Sequence, residues 1–170
     1  RAVVESVAEN TVDAIVAPVC LAAVGGGPGV LAYRAVNTLD ALVGHRDARY
    51  AAFGWASACL DDAANYAPAR LTALLVALAR PGKAREVWRV LRDQAPAHPS
   101  PNAGVAEGAF AAALDLRLGG TNRYRGREEL RPVLGFGRPA EAGDIRRAVR
   151  LSSQVRAGLA ASLALAAALA

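Results

Sequence analysis

Asp61 and Asp62 stand side by side in "FGWASACLDDAANYAPARLTALLVALARPG", a stretch otherwise dominated by small and apolar residues. Adjacent carboxylates in an apolar helix are costly unless something pairs with them. An arginine on the same face would do so. Asp62, Tyr66 and Arg70 fall at i, i+4 and i+8, so Arg70 is placed to neutralise an acid on its own face. Glu5, Glu9 and Asp13 repeat that spacing near the start of the chain. Three like charges on one face call for a cation or an ammonium partner, or else form a solvated acidic surface. The tetrad Asn10-Thr11-Val12-Asp13 returns as Asn37-Thr38-Leu39-Asp40, each time setting an Asn close to an Asp on a largely apolar helix. Two short matches do not make a repeat architecture.

A second chemical stretch is "HPSPNAGVAEGAF", residues 98–110. Its prolines, serine, asparagine and glycine form a stiff turn ahead of a small-residue helix that contains Glu107. His98 titrates near neutral pH and so could exchange a proton. Ser100 or Asn102 can cap the following helix, and free backbone N–H groups at such a corner suit an anion. The stretch is read as a rigid anion-binding corner, with capping as the structural alternative. On that reading Asn102→Ala reduces activity more than it reduces protein yield.

These residues have to be positioned by a chain of 170 residues, about one ordinary domain, that is 54% apolar and poor in aromatics. Packing must rest on small side chains, as it does between closely approaching membrane helices. The chain has no methionine and begins inside a helical pattern, so it is read as a fragment. Basic residues crowd 80–93, 123–131 and 146–156 and give a net charge of +5. They are not interleaved with aromatics, so no nucleic-acid partner is expected. Cys20 and Cys59 match no metal spacing and are read as buried free thiols.

Residues 14–33 carry no charge over 20 positions, about the length of a membrane span, but "GGGPG" interrupts them. That leaves a kinked span or two short helices in a re-entrant hairpin. The GxxxxGK[ST] phosphate-loop pattern is absent. A second helix is expected from near Gly29 to Gly44, followed by the charged loop "HRDARY". After the Pro81-Gly82 break comes a basic amphipathic helix, with Trp88 suited to a water–lipid interface. A small-residue helix is expected over Val105–Leu118, then a Gly/Pro/Arg segment (119–144) that is extended with turns. Asp144 caps a last helix from Ile145, which ends in the uncharged "AGLAASLALAAALA". The fold class expected is all-α: a multi-helix integral membrane protein with broken or re-entrant helices and a Gly/Pro/Arg-rich loop region.

The strings "ESVAENTVDAIVAP", "AYRAVNTLDALVG", "YAAFGWASACLDDAANYAPARLTALL", "HPSPNAGVAEGAFAAALDLRLGG" and "RPVLG" occur in that order and cover nearly the whole chain. Together they resemble the adenosylcobinamide-phosphate synthase family, the CobD/CbiB family of cobalamin biosynthesis. Members of that family carry further N-terminal membrane segments, so residues 1–170 read as the C-terminal part of a single membrane-embedded synthase domain. The resemblance implies a multi-pass protein of the cell membrane in contact with lipid, and the arginine excess places its polar loops in the cytoplasm. It implies a ligase that uses ATP and Mg²⁺ to join aminopropanol, or its phosphate, to adenosylcobyric acid. Other enzymes of the pathway are further candidate partners.

Set beside that reaction, the candidate catalytic residues are Asp61, Asp62, Glu9 and His98, with Asp61 and Asp62 as candidate Mg²⁺ ligands. The candidate substrate-binding residues are Asn10, Asp13, Asn37, Asp40, Arg70, Ser100, Asn102 and Arg131. No nucleotide motif marks where ATP sits. A non-catalytic membrane scaffold, a transporter-like protein and a soluble helical protein remain alternatives. A scaffold has no need to bury Asp61, Asp62 and Arg70 together.

Overall fold

The computed structural model describes residues 1–44, 50, 52–124 and 127–169, with side chains described outside 122–129. Most of the "HRDARY" loop and much of the 123–131 basic run therefore lie outside the described residues. Helix α1 (Ala2–Thr11) passes through a π turn (Val12–Val16) into α2 (Ala17–Val43), which is broken at Gly26. At the π turn the Ala17 N–H bonds to the Val12 carbonyl, five residues back, which widens the helix at Asp13. The "GGGPG" run turns α2 back on itself: the Tyr33 hydroxyl lies 3.1 Å from the Asp13 carbonyl and Asp40 meets Glu9 and Asp13 at one cavity, although 20 residues of straight helix span about 30 Å. Gly26 takes φ 59°, a left-handed conformation that glycine adopts without a Cβ penalty. Of the two alternatives, two helices in a hairpin thus hold and a single kinked span does not.

Helix α3 (Trp55–Ala79) packs along α2 and carries Pro68 within it. A short 3₁₀ turn (Pro81–Lys83) leads to the amphipathic α4 (Ala84–Asp93). Helix α5 (Ala103–Leu114) is the core of the molecule, with every residue from Gly104 to Leu114 buried. It touches α1, α3, α4, the sheet and α6 (Ala142–Leu169). Glycine and alanine make this close approach possible: a Cβ on Gly108 would lie 3.1 Å from Val90 Cγ1 of α4. Asp144, almost fully buried, accepts bonds from Arg138 (2.8 and 2.9 Å), Arg147 (2.6 Å) and the Glu141 N–H (2.9 Å), so it ties the start of α6 to the strand before it. The Arg138 bonds hold its carboxyl well below the usual carboxylate range.

Two expectations need correction. Helix α5 ends at Leu114, not Leu118, because Asp115 turns into the left-handed region (φ 56°) and closes it. Leu116 and Leu118 then alternate with exposed Arg117 and start a strand. The fold is therefore not all-α. The Gly/Pro/Arg segment forms a small sheet of β1 (Leu116–Tyr124), β2 (Arg127–Leu134) and β3 (Arg138–Pro139), in the order β2-β1-β3. Strands β1 and β2 are antiparallel and β1 and β3 parallel. The β1–β2 register shifts between Leu118 and Gly120, where Gly119 at φ 75° lies too close to the Pro132 carbonyl to carry a side chain. Both cysteines are free as expected, but neither is fully buried: Cys20 is partly buried and Cys59 is exposed.

Among the described residues one helical run, Ala2–Val43, is by length and composition apolar enough to cross a membrane, although it folds back at Gly26, and only 11% of its most apolar window is buried. The end of α6 from Ala160 to Leu169 is likewise exposed.

Candidate active-site cavity

A cavity of about 360 Å³ opens where the α1–π turn, α2, α3, the 98–102 loop and β2 converge. Four carboxylates line it: Glu9 from α1, Asp13 from the π turn, Asp40 from α2 and Asp61 from α3. His98, Ser100 and Asn102 form another wall, and Arg131 enters from β2. A second cavity of about 200 Å³ shares Asp40, Asp61, Pro99 and Ser100 with the first and adds Asp62.

Asp61 is the hub of a polar network. Its Oδ1 accepts from Asn37 Nδ2 (3.1 Å) and its Oδ2 from Asn65 Nδ2 (3.0 Å). Each amide is itself oriented from behind. Arg34 donates to Asn37 Oδ1 (3.1 Å), so the Asn37 NH₂ must face Asp61. The Tyr33 hydroxyl lies between Asn65 Oδ1 (3.0 Å) and the Asp13 carbonyl (3.1 Å). Tyr33 and Asn65 are both buried. Tyr33→Phe leaves Asn65 Oδ1 without its donor and is expected to cost about 1–2 kcal/mol. Urea unfolding in detergent, with tyrosine-independent helix content as readout, checks this; an unchanged midpoint would exclude Tyr33 as the support of the network.

The 98–102 loop is gripped by α3. Asn102 Oδ1 accepts from Arg70 Nη1 (2.7 Å), and Asn102 Nδ2 donates to the Asp62 carbonyl (2.8 Å) and to Asp62 Oδ1 (3.3 Å). Arg70 also donates to the Pro101 carbonyl (3.2 Å) and stacks 3.6 Å above the Tyr66 ring. The Ser100 hydroxyl accepts from the Asn102 and Ala103 N–H groups (3.4 and 3.2 Å), so Ser100 caps α5 while Asn102 docks the loop. Gly104 lets the turn close: a Cβ there would lie 2.6 Å from His98 Cβ and 2.8 Å from the Ala95 carbonyl.

His98 is buried, and its Nδ1 lies 3.0 Å from the Ser100 carbonyl and 3.1 Å from the Ser100 N–H, so either neutral tautomer finds a backbone partner in the loop. Burial, the largest cause, pushes its pKa down and keeps it neutral at neutral pH. Its Nε2 faces Glu107 Oε1 at 3.8 Å, and these two buried atoms have no hydrogen-bond partner among the described residues. Glu107 is 1% exposed in the middle of α5. Burial first, and then the charges of Glu9 and Glu5 and a hydrogen bond with the Glu9 side chain, push its carboxyl up to about 8.

The structure thus brings together Glu9, Asp13, Asp40, Asp61, His98, Ser100, Asn102 and Arg131 around one space, with Asn37 directly behind Asp61. Asp62 opens only onto the smaller cavity. Arg70 acts on the loop. Asn10 lies elsewhere: exposed on α1, it donates back to the Ser6 carbonyl (2.8 Å) and borders a separate groove. Since Glu9 faces the cavity, its neighbour must point about 100° away around the helix. Glu5 also leaves the acid stripe, accepting the Gly119 N–H (2.8 Å) to hold α1 against β1. Tyr33, Asn65 and Glu107 were not among the expected site residues, although a lone acid in an alanine-rich helix is a legible signal for Glu107.

As a metal site the donor set is all oxygen and hard, which suits Mg²⁺. Among the described residues no three His, Cys, Asp or Glu side chains are grouped to hold an ion. Asp61 and Asp62 both border the smaller cavity but do not by themselves form a cage for an ion.

A helical protein whose broken, acid-bearing helices close over a polar cavity defines the class, and by sequence the chain belongs to the CobD/Cbib protein family, whose model matches residues 1–152. Cobalamin biosynthesis protein CobD of Mycobacterium tuberculosis H37Rv is 56% identical over 163 residues, which is 94% of this chain and 52% of that protein. The proteins of the same name from Geobacter metallireducens (48% over 155 residues; 89% and 49%) and Rhodobacter capsulatus (47% over 160 residues; 94% and 51%) are also similar. The chain spans about half the length of the curated relatives it matches. No solved structure matches it.

Proposed function

We propose that the protein forms an amide in cobalamin biosynthesis, joining aminopropanol or aminopropanol phosphate to a carboxyl group of adenosylcobyric acid. The observation that carries this reading is the cavity, where four carboxylates face His98 and Arg131 across one small space. The relatives named as cobalamin biosynthesis proteins support it.

A carboxylate is a poor acyl donor because its charge repels a nucleophile and oxide is a poor leaving group. ATP with Mg²⁺ supplies that activation when bound. The residues of this chain perform the remaining tasks. Asp13, Asp40 and Asp61 attract the ammonium form of the amine and fix its nitrogen. Glu9 or His98 accepts the proton that the nitrogen must lose before it attacks. Arg131 places positive charge where phosphate or acyl oxygen collects negative charge. The apolar helical hairpin Ala2–Val43 lodges the protein in the cell membrane beside further membrane segments, with the arginine-rich loops on the cytoplasmic side.

The test uses the full-length protein in liposomes with adenosylcobyric acid, aminopropanol phosphate or aminopropanol, ATP and Mg²⁺. Amide product detected by mass, dependent on ATP and Mg²⁺, is the expected result. No product from folded protein, with or without other enzymes of the pathway, overturns the reading in favour of a membrane scaffold or a transporter-like protein.

A further inference from the structure

Glu107 is the one ionisable residue in α5, and it is sealed in the core between two groups that reach the cavity. On one side its carboxyl is hydrogen-bonded to the side chain of Glu9. On the other its Oε1 faces His98 Nε2 across 3.8 Å, and neither atom has a hydrogen-bond partner among the described residues. Two carboxyl groups in contact cannot both ionise without strong repulsion, so they share a proton. The alternative, a carboxylate buried in the core beside a second carboxylate and a neutral imidazole, is far costlier. From this geometry we infer that Glu107 is a positioning residue, the buried carboxyl between Glu9 and His98, that donates a hydrogen bond to Glu9 and so aims the Glu9 side chain into the cavity.

The inference rests on the amide-forming reading for its chemical purpose. A substrate ammonium enters with three N–H bonds. Glu9, held in place by the Glu107 donor, takes one N–H proton onto its carboxylate oxygen, and the nitrogen keeps the electron pair. The pair Glu9–Glu107 then carries two protons and returns one to water through the cavity. The charged groups facing Glu107 are Glu5 and Glu9 from α1, Arg131 from β2, and His98 when it is protonated. Glu5 and Glu9 oppose a second negative charge at Glu107, whereas Arg131 favours it.

The carboxyl at about 8 supports this and fixes the sign of the pH dependence. Its folded pKa lies above the ordinary value of 4.5. The stability that it contributes is therefore complete below about 4.5 and is lost as the pH rises through about 8. His98, shifted the other way, contributes stability that is lost as the pH falls through the ordinary histidine range.

The experiment compares wild type, Glu107→Gln and Glu107→Leu in the full-length protein in detergent. The first readout is the infrared C=O band of a protonated buried carboxyl, followed with pH. The second is the pH dependence of the thermal midpoint. The third is the pH profile of kcat/KM for amide formation. Wild type is expected to show the band at neutral pH and to lose it on the alkaline side, together with stability. Glu107→Gln, which keeps a donor toward Glu9 but cannot titrate, is expected to lack the band and to flatten both alkaline limbs. It should also retain kcat within about tenfold, whereas Glu107→Leu should lose about a hundredfold. A wild-type band that is absent at neutral pH, or that persists in Glu107→Gln, overturns the inference, as do superimposable pH profiles. If Glu107→Leu does not fold, the nearly isosteric Glu107→Gln still decides. If no amide forms at all, the amide-forming reading fails, while the band and the thermal midpoint still decide whether Glu107 holds a proton.

Discussion

Asp61→Asn is expected to lower amide formation by about 10²–10³-fold at unchanged protein level. The charge on Asp61 is one part of the argument and its fixation is the other. Both carboxylate oxygens accept amide N–H groups, from Asn37 on one side and Asn65 on the other. Those amides cannot turn freely, because Arg34 holds the Asn37 oxygen and Tyr33 the Asn65 oxygen. An asparagine at 61 must therefore point its own NH₂ at another NH₂, whichever way it flips. The substitution removes the negative charge that would hold an ammonium and also breaks the network that aims it. Asp62→Asn is the informative contrast. Asp62 faces the smaller cavity and the 98–102 loop, so its loss should weaken the protein more than the chemistry. Single-turnover rates with both variants, normalised to folded protein, make the comparison. If Asp61→Asn keeps more than about a tenth of wild-type rate, the residue is not part of the reacting site.

Much of this site was legible because charge in an apolar context is conspicuous. Asp13, Asp40 and Asp61 stand out in helices that otherwise lack reasons to carry acids, and they meet at one cavity. The i, i+4 spacing of Glu9 and Asp13 survives the π turn, so both face inward. What the sequence hid has two physical origins. Uncharged polar residues such as Tyr33 and Asn65 look like ordinary helix residues until their partners are known, and those partners are far along the chain. The sheet was hidden because its start is decided by one backbone angle. Asp115 adopts the left-handed conformation, which Asp tolerates better than most residues, with no glycine to mark the helix end. The strand that follows begins with only three alternating residues, Leu116-Arg117-Leu118, too short a pattern to separate from the tail of a helix. The repeated Asn-Thr-x-Asp tetrad misled in one half only. Asn37 reaches Asp61 because it faces α3, whereas Asn10 is rotated out of the cavity by its place beside Glu9.

Asn102→Ala is expected to lower stability by about 2–3 kcal/mol, and activity falls with it, not alone. The side chain is almost fully buried and its amide is used at both ends, accepting from Arg70 and donating to the Asp62 main chain and carboxylate. Alanine leaves the Arg70 guanidinium with the Tyr66 ring and the Tyr66 and Pro101 carbonyls but without its shortest bond to the loop. It also leaves the Asp62 carbonyl without its 2.8 Å donor. Because Pro99, Ser100 and Asn102 form one wall of the cavity, a loop released from α3 disturbs the site even though Asn102 need not touch the reacting atoms. The expectation from sequence alone, that activity suffers while yield does not, is therefore replaced by coupled losses. A double-mutant cycle with Arg70→Ala separates docking from chemistry. The two substitutions should be non-additive in unfolding free energy by about 1–2 kcal/mol, since each removes the same bond. Asn102→Asp should be worse than its conservative appearance suggests, because it puts a second acceptor against Asp62 where a donor stood. Additive unfolding energies, or an Asn102→Ala protein as stable as wild type, would show that the loop is held by its prolines and the Ser100 cap, with Asn102 left free for substrate.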